Sequence, residues 1–271
     1  MPASNKSHNG SRMLETVTMT IRVIQLLEER NGARATDIAD ELDISKSSVY
    51  NHLTTLVEHG LVSKRRDVYH LSYRFVTLGE FVRNQSTIYR YGHAEVENLS
   101  EETGEYAHLT VEQNGLGVNL YKVRGDDAVG ADFQTERVQK PDYLHYSATG
   151  KSILAHLSKQ RLDEIVDQHG LPGRTENTIT DREALYEHLE TVREQGFAYN
   201  DSEEVRGIRA VGAPIISKDD RVLGAVSVSG PESRLQGVRF TEELPSRIKS
   251  AANIIEVNLN TAVEESEFPS F

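Results

Sequence analysis

Residues 35–60, ATDIADELDISKSSVYNHLTTLVEHG, hold two short helical patterns with a tight break between them. In the first, Thr36 is placed to cap the N-terminus, and Ile38 and Leu42 fall on one apolar side. Asp43-Ile44 makes the turn, Ser45 is placed to cap the second helix, and Gly60 stops it. In that second helix Val49, Leu53 and Leu56 recur at i, i+4 and i+7, an apolar stripe able to sit on a small core. Ser47, Tyr50, Asn51 and Thr54 fall on the opposite side, a face of hydrogen-bonding groups with almost no charge. Such a helix suits the DNA major groove, where uncharged polar side chains read base edges.

The flanks extend this pattern. Upstream, Met13, Val17, Ile21, Ile24 and Leu27 recur at spacings of three and four, predicting a helix over 13–30 with this row as its buried side. Asn31-Gly32 ends it, since both residues tolerate the left-handed conformation. Downstream, Leu61–Lys64 and Val68–Leu71 alternate as strands around Arg65-Arg66-Asp67, a β-hairpin wing behind a helix-turn-helix. Ser45, Lys46, Ser47, Ser48, Tyr50, Asn51 and Thr54 therefore lie on or open the recognition helix. Asn51 and Ser47 are expected at base edges, with Lys46 and Tyr50 in mixed contacts. Arg34, Thr36, Lys64, Arg65 and Arg66 are expected on the phosphate backbone; a Lys-Arg-Arg cluster alone would read as a solvated turn.

At 271 residues the chain accommodates two domains of ordinary size, and its apolar runs stay too short for a membrane span. The polar start, MPASNKSHNGSR, lacks a hydrophobic signal core and reads as a disordered tip, which makes a cytoplasmic protein the default. Absence of cysteine excludes disulfides, thiolate metal sites and thiol redox switches. The ten histidines are scattered and form no HxxxH or HxH pair, so neither metal nor cofactor is expected. The net charge of −12 looks wrong for a DNA binder until it is divided. Residues 1–75 hold 10 Lys/Arg against 9 Asp/Glu, whereas residues 76–271 hold 20 against 33. The acid thus lies outside the DNA-reading segment. Its abundance, with arginine well ahead of lysine, suits a protein kept hydrated at high salt, as in a halophile.

Residues 75–90 read as a linker helix, with Phe75, Leu78, Val82 and Gln85 along one side. A second domain over 91–265 opens with a helix through Leu99 and continues with strands at 106–112 and 117–123. Helices follow from Ala148, over 159–169 and over 181–196, then strands at 197–200, 209–216 and 222–229, and a terminal helix over 241–262 before a frayed tail. Mixed strands and flanking helices indicate an α+β sensor-like domain behind the DNA-binding unit of residues 11–74.

Enzymatic readings of this second part fare poorly. Gly150-Lys151-Ser152 matches the end of a phosphate-binding loop, but position 145 is His where that motif needs Gly. Ser147 and His145 are only two apart and carry no oxyanion signature. No paired carboxylates, metal ligands or activated nucleophile emerge. A ligand-independent dimerising adaptor is a further alternative, which a collapsed pocket would favour.

Four blocks in order behind the winged helix-turn-helix carry a resemblance: Tyr146–Ala155, the stretch from Gly196-Phe197 through Asp201-Ser202-Glu203 to Gly207-Ile208-Arg209, Ala213-Pro214-Ile215, and Val226–Pro231. Together they make the chain similar, over essentially its whole length, to transcriptional regulators of the IclR type. The resemblance implies a winged helix-turn-helix joined by a linker helix to a GAF-like α/β effector domain, acting as a homodimer or tetramer on palindromic double-stranded DNA operators. It implies a small-molecule effector, commonly a carboxylate, at the backbone of Ala148 and Thr149 and at Asn200, Ala210, Ser227 and Ser229. Amides at the start of the helix after Thr149 make sense as an anion seat. Ser227 and Ser229, two apart in a strand, point to one side. Where some members have an acidic residue and a cysteine, this chain has Asn200 and Ala210, which leaves room for a bulkier or more hydroxylated ligand.

Overall fold

The structure, a computed structural model, describes residues 13–129 and 142–267, with the side chains of 262–267 left out. The expected disordered start and the last residues of the tail lie outside the described residues. The chain divides into two compact units, up to Val82 and from Arg83.

In the first unit, α1 (Glu15–Glu29) is followed by β1 (Ala33–Arg34), α2 (Ala35–Leu42), α3 (Lys46–Glu58), β2 (Val62–Arg65) and β3 (Val68–Leu71), and α4 (Arg74–Gln85) runs across the boundary. Asn31, Gly32, Asp43 and Gly60 take the left-handed backbone at the helix ends, as their residue types dictate. Val49, Leu53 and Leu56 are buried with Ile38, Val62 and Tyr69 in one small core. The α1 stripe differs from expectation. Val23, Leu26 and Leu27 reach the core, whereas Met13, Val17 and Ile21 are exposed, because only the last two turns of α1 cover this core. Thr36 is also not a cap. The helix starts one residue earlier, at Ala35, and the Asp37 carboxylate turns back to accept the Arg34 N–H at 3.4 Å. Two-residue β1 was not foreseen. It pairs antiparallel with β3 and makes the wing a three-stranded sheet, ordered β1-β3-β2.

The expected linker helix over 75–90 is two helices, α4 and α5 (Thr87–Thr103), which meet at Ser86. Ser86 takes an extended backbone at the N-terminal boundary of α5, a position that serine favours. No residue of α4 is buried.

The second unit is built on six antiparallel strands in the order β6-β5-β4-β9-β8-β7. They are β4 (Tyr106–Gln113), β5 (Leu116–Arg124), β6 (Asp142–Tyr143), β7 (Ala198–Asp201), β8 (Ile208–Ile216) and β9 (Val222–Pro231). Between β6 and β7 run α6 (Ala148–Leu154), α7 (Lys159–His169) and α8 (Arg182–Gln195). The chain ends with a π-helical turn (Arg239–Glu243) and α9 (Leu244–Glu267), so the terminal helix begins three residues later than expected. One face of the sheet, with Ala107, Leu109, Val211, Ala213, Val226 and Val228, buries against α5 and α9. A second core forms where α6, α7 and α8 pack together through Leu154, Ile165, Leu185 and Leu189. Gly212 lets α6 approach the sheet: a Cβ there would lie 2.9 Å from the Ala148 carbonyl carbon.

A bulge in β5 sets the polar face. The pairing runs His108↔Lys122, Leu109↔Tyr121 and then Thr110↔Asn119, so Leu120 is the extra residue. Leu120, Tyr121 and Val123 pack toward α5 and α9. Asn119 and Lys122, three apart, share the other face with His108 and Thr110.

Candidate functional site

Two regions gather the residues singled out by sequence. On α3, the Ser48 N–H donates to Ser45 Oγ at 3.1 Å, confirming Ser45 as the N-cap and tying half-buried Ser48 into the first turn. Lys46, Ser47, Tyr50, Asn51 and Thr54 are all exposed on one helix whose back is buried. That back includes His52, which sequence reasoning passed over; its Nδ1 lies 2.9 Å from Thr20 Oγ1 and anchors α3 to α1. In the wing, Arg34 and Arg65 both lie opposite Val68, from β1 and β2, and so share one face. Lys64 pairs with Tyr69 on the other face, its ammonium 5.2 Å from the ring centroid. Arg66 sits in the two-residue turn with φ 56°. The three adjacent cations are thus dealt to different directions by strand alternation, and β1 supplies Arg34 as a new neighbour of Arg65.

In the second unit the six expected effector positions converge. Ala148, Thr149, Asn200, Ala210, Ser227 and Ser229 line one cavity of about 110 Å³ between the sheet and the start of α6. Cross-strand pairing explains the convergence, since Asn200, Ala210 and Ser229 stand opposite one another on β7, β8 and β9. Asn200 is buried, and its Oδ1 accepts the Glu203 N–H at 2.9 Å, which leaves only its NH₂ group to donate. Helix α6 starts at Ala148, where the sequence placed it, and Ser147 Oγ accepts the Gly150 N–H at 3.0 Å. At seven residues its dipole is short, so an anion here rests on neighbouring side chains more than on the helix.

The same cavity is lined by residues that sequence reasoning missed: His108, Thr110, Asn119, Lys122 and Glu204. Alternation along β4 could have found His108 and Thr110, but the bulge hides Asn119 and Lys122. His108 Nε2 lies 2.9 Å from Ser229 Oγ. Burial, with the Lys122 charge adding, holds His108 down to about 3, so the ring is neutral. Burial also draws Lys122 down to about 8, opposed by the Glu204 charge.

Directly behind the cavity, Lys151 of α6 and Glu203 form a buried ion pair. Burial pushes Lys151 down and Glu203 up, and their mutual attraction opposes both shifts. Glu203 Oε2 has no hydrogen-bond partner. The lysine that suggested a phosphate loop is therefore held in the interior. Ser147 is a helix cap, and His145 Nε2 lies 3.1 Å from the Pro172 carbonyl. Among the described residues, no group of three or more His, Asp or Glu is arranged to hold a metal, and no helix is long and apolar enough to cross a membrane.

Both units match known protein families. Residues 16–66 match the IclR helix-turn-helix domain, and residues 82–257 match the bacterial transcriptional regulator IclR C-terminal model. A protein of Halobacterium salinarum described as "Probable HTH-type transcriptional regulator ArcR" is 37% identical over 258 residues, covering 94% of this chain and 98% of that protein. The crystal structure of the Thermotoga maritima IclR superposes with a TM-score of 0.74 at 28% identity, covering 90% of this chain and 98% of that one. An IclR homologue from Microbacterium hydrocarbonoxydans, solved with 4-hydroxybenzoate, has the same fold, with a TM-score of 0.75 at 21% identity over 90% of this chain and 99% of its own.

Proposed function

The chain belongs to the IclR family of DNA-binding transcriptional regulators with a C-terminal effector-binding domain, and on that premise we propose that it controls catabolic genes in response to a small organic acid. The observation that carries the effector side is the convergence of Ala148, Thr149, Asn200, Ala210, Ser227 and Ser229 on one polar cavity. At about 110 Å³ the cavity falls well below the several hundred Å³ of pockets for drug-sized molecules, which suits a small metabolite. An open cavity also favours a sensor over a ligand-free adaptor. The second domain senses and does not catalyse, in keeping with relatives that are regulators rather than enzymes.

On the DNA side, Ser47 and Asn51 read base edges, Lys46, Tyr50 and Thr54 support them, and Arg34, Thr36, Arg65, Arg66 and Lys64 position the backbone. The protein acts in the cytoplasm as a homodimer, alone or paired into a tetramer, on a palindromic operator. Two recognition helices then sit about 34–36 Å apart, in successive major grooves. Exposed Met13 and Leu14 just before α1, Val17 and Ile21 on it, and Val76, Leu78, Phe81 and Val82 on α4 support such self-association. The effector shifts operator affinity only through its different affinity for two arrangements of the dimer, with α4 and the Ser86 break as the transmitting element.

The test is operator selection from random duplexes, followed by anisotropy titrations with candidate acids. An acid that binds the full chain but leaves operator affinity and transcription unchanged would overturn the switch.

A further inference from the structure

A helix in the major groove discriminates between sequences only if its rotation about its own axis is fixed. Side-chain tips lie roughly 5–6 Å from a helix axis, so a turn of about 15° carries them through about 1.5 Å. The useful range of a hydrogen bond to a base edge is about 0.5 Å, and such a turn breaks it. A lysine ammonium on a phosphate follows the same displacement on its flexible stem. Rotation of α3 therefore costs discrimination before it costs general affinity for DNA.

The buried back of α3, through Val49, Leu53 and Leu56, is held by apolar contact, which has no direction. Thr55 Oγ1 donates to the Asn51 carbonyl at 2.9 Å inside the helix, and Ser45 and Ser48 are spent on the cap. Among the described residues, His52 is the one side chain of α3 that hydrogen-bonds beyond the helix and its cap. With roughly 100° of turn per residue, His52 lies about 60° from Val49 around α3, at the edge of the buried face. Ser47 and Asn51 stand about 160° from Val49 in opposite senses, so one rotation displaces both. The bond also has a direction. Thr20 Oγ1 donates its single proton to the Thr16 carbonyl at 2.9 Å and so accepts from His52 Nδ1–H. His52 is buried and Thr20 half-buried, which keeps water from competing for the bond.

We infer that His52 is a specificity-determining positioning residue: its Nδ1–H bond to Thr20 sets the rotation of α3 and so decides whether Ser47 and Asn51 meet base edges. It acts from the buried side of the helix, through α1, without touching DNA. This rests on the reading of α3 as the recognition helix.

Anisotropy titrations of the full chain against the selected operator and a scrambled duplex, at fixed salt, give the ratio of the two affinities. Thr20→Val keeps the shape and removes the acceptor. His52→Gln carries its N–H at the position of Nε2, whereas His52→Asn carries it at that of Nδ1. Thr20→Val and His52→Gln should each lower the ratio by about tenfold, through the operator and not the scrambled duplex. His52→Asn should stay within about threefold of the wild-type ratio. A role in stability alone would lower unfolding midpoints and leave the ratio of the folded protein untouched. An unchanged ratio in folded Thr20→Val and His52→Gln overturns the inference, as does a His52→Asn variant no better than His52→Gln. If one variant fails to fold, the other carries the same readout, and NMR shifts of the wild-type ring that show Nδ1 without its proton overturn the inference independently. Ser47→Ala and Asn51→Ala without effect on the ratio would overturn the recognition-helix reading along with it.

Discussion

Replacing Glu203 with Gln should destabilise the second domain out of proportion to the size of the change. The Lys151 side chain is fully buried and the Glu203 side chain only 8% exposed, so neither end of the pair reaches water. Glutamine keeps the shape but leaves the ammonium without its counter-charge in a low-dielectric interior. Breaking a buried pair from one side costs about 3–5 kcal/mol. For a domain of this size each kcal/mol moves the midpoint by about 2–4 °C, so a loss of roughly 6–20 °C is expected. Lys151→Met combined with Glu203→Leu should behave differently. Both desolvation costs vanish together with the attraction, and the orphaned Glu203 Oε2 disappears too. The double variant should therefore unfold near the wild-type temperature, or above it. Thermal unfolding of the full chain, followed by circular dichroism at fixed salt, reads both effects. A midpoint within about 2 °C of wild type for Glu203→Gln, or a double variant as unstable as the single, refutes the reasoning.

Three further outcomes are expected. Ser47→Ala and Asn51→Ala should each weaken binding to the selected operator by about 1–3 kcal/mol while leaving non-specific duplex binding unchanged; anisotropy that shows equal losses on both duplexes would place these residues off the base edges. Val17→Glu with Ile21→Glu should shift the chain toward monomer in light scattering and leave its helix content intact, because both side chains lie outside the core; an unchanged mass would remove α1 from the dimer interface. The third concerns acid. His108 has a folded pKa of about 3, below its ordinary 6.5, so the unfolded chain takes up the proton first as pH falls. Its stabilisation is complete above pH 6.5 and should decline below it by up to about 1.4 kcal/mol per pH unit. His108→Gln should flatten that slope in urea titrations between pH 6.5 and 4.5, and an unaltered slope would show that the ring is not buried neutral.

The recognition helix was legible because one periodicity governs it. Val49, Leu53 and Leu56 define a single stripe, and Ser47, Tyr50, Asn51 and Thr54 lie exposed on the opposite side. Helix α1 was not, because it carries two apolar rows. Met13, Val17 and Ile21 keep regular spacing as well as Val23, Leu26 and Leu27 do, and only the position of the small core chooses between them. The break at Ser86 was also hidden, because Phe75, Leu78 and Val82 continue a helical row up to it, the helix runs on through Gly79, and no Gly or Pro stands next to Ser86. In the cavity, Ser227 and Ser229 could be placed together by alternation, and the four blocks pointed to their partners. Lys122 and Asn119 could not, since their shared side depends on how β5 registers against β4. Lys151 shows the reverse error: its sequence surroundings suggested phosphate chemistry, and only burial reveals an internal ion pair.

The extra residue in β5 also bears on how such a domain can change over evolutionary time. Leu120 is absorbed beside Tyr121, so β4 and the rest of the sheet keep their pairing around it. A length change of one residue at this point would alter which β5 side chains face the cavity while the β4–β9 pairing stayed in place. Among the described residues, β5 lies one strand from the edge and pairs there with two-residue β6. The lining of this sheet is therefore open to revision by insertion and deletion as well as by substitution. Family members with a shorter or longer β5 should sort by effector chemistry more clearly than by overall identity.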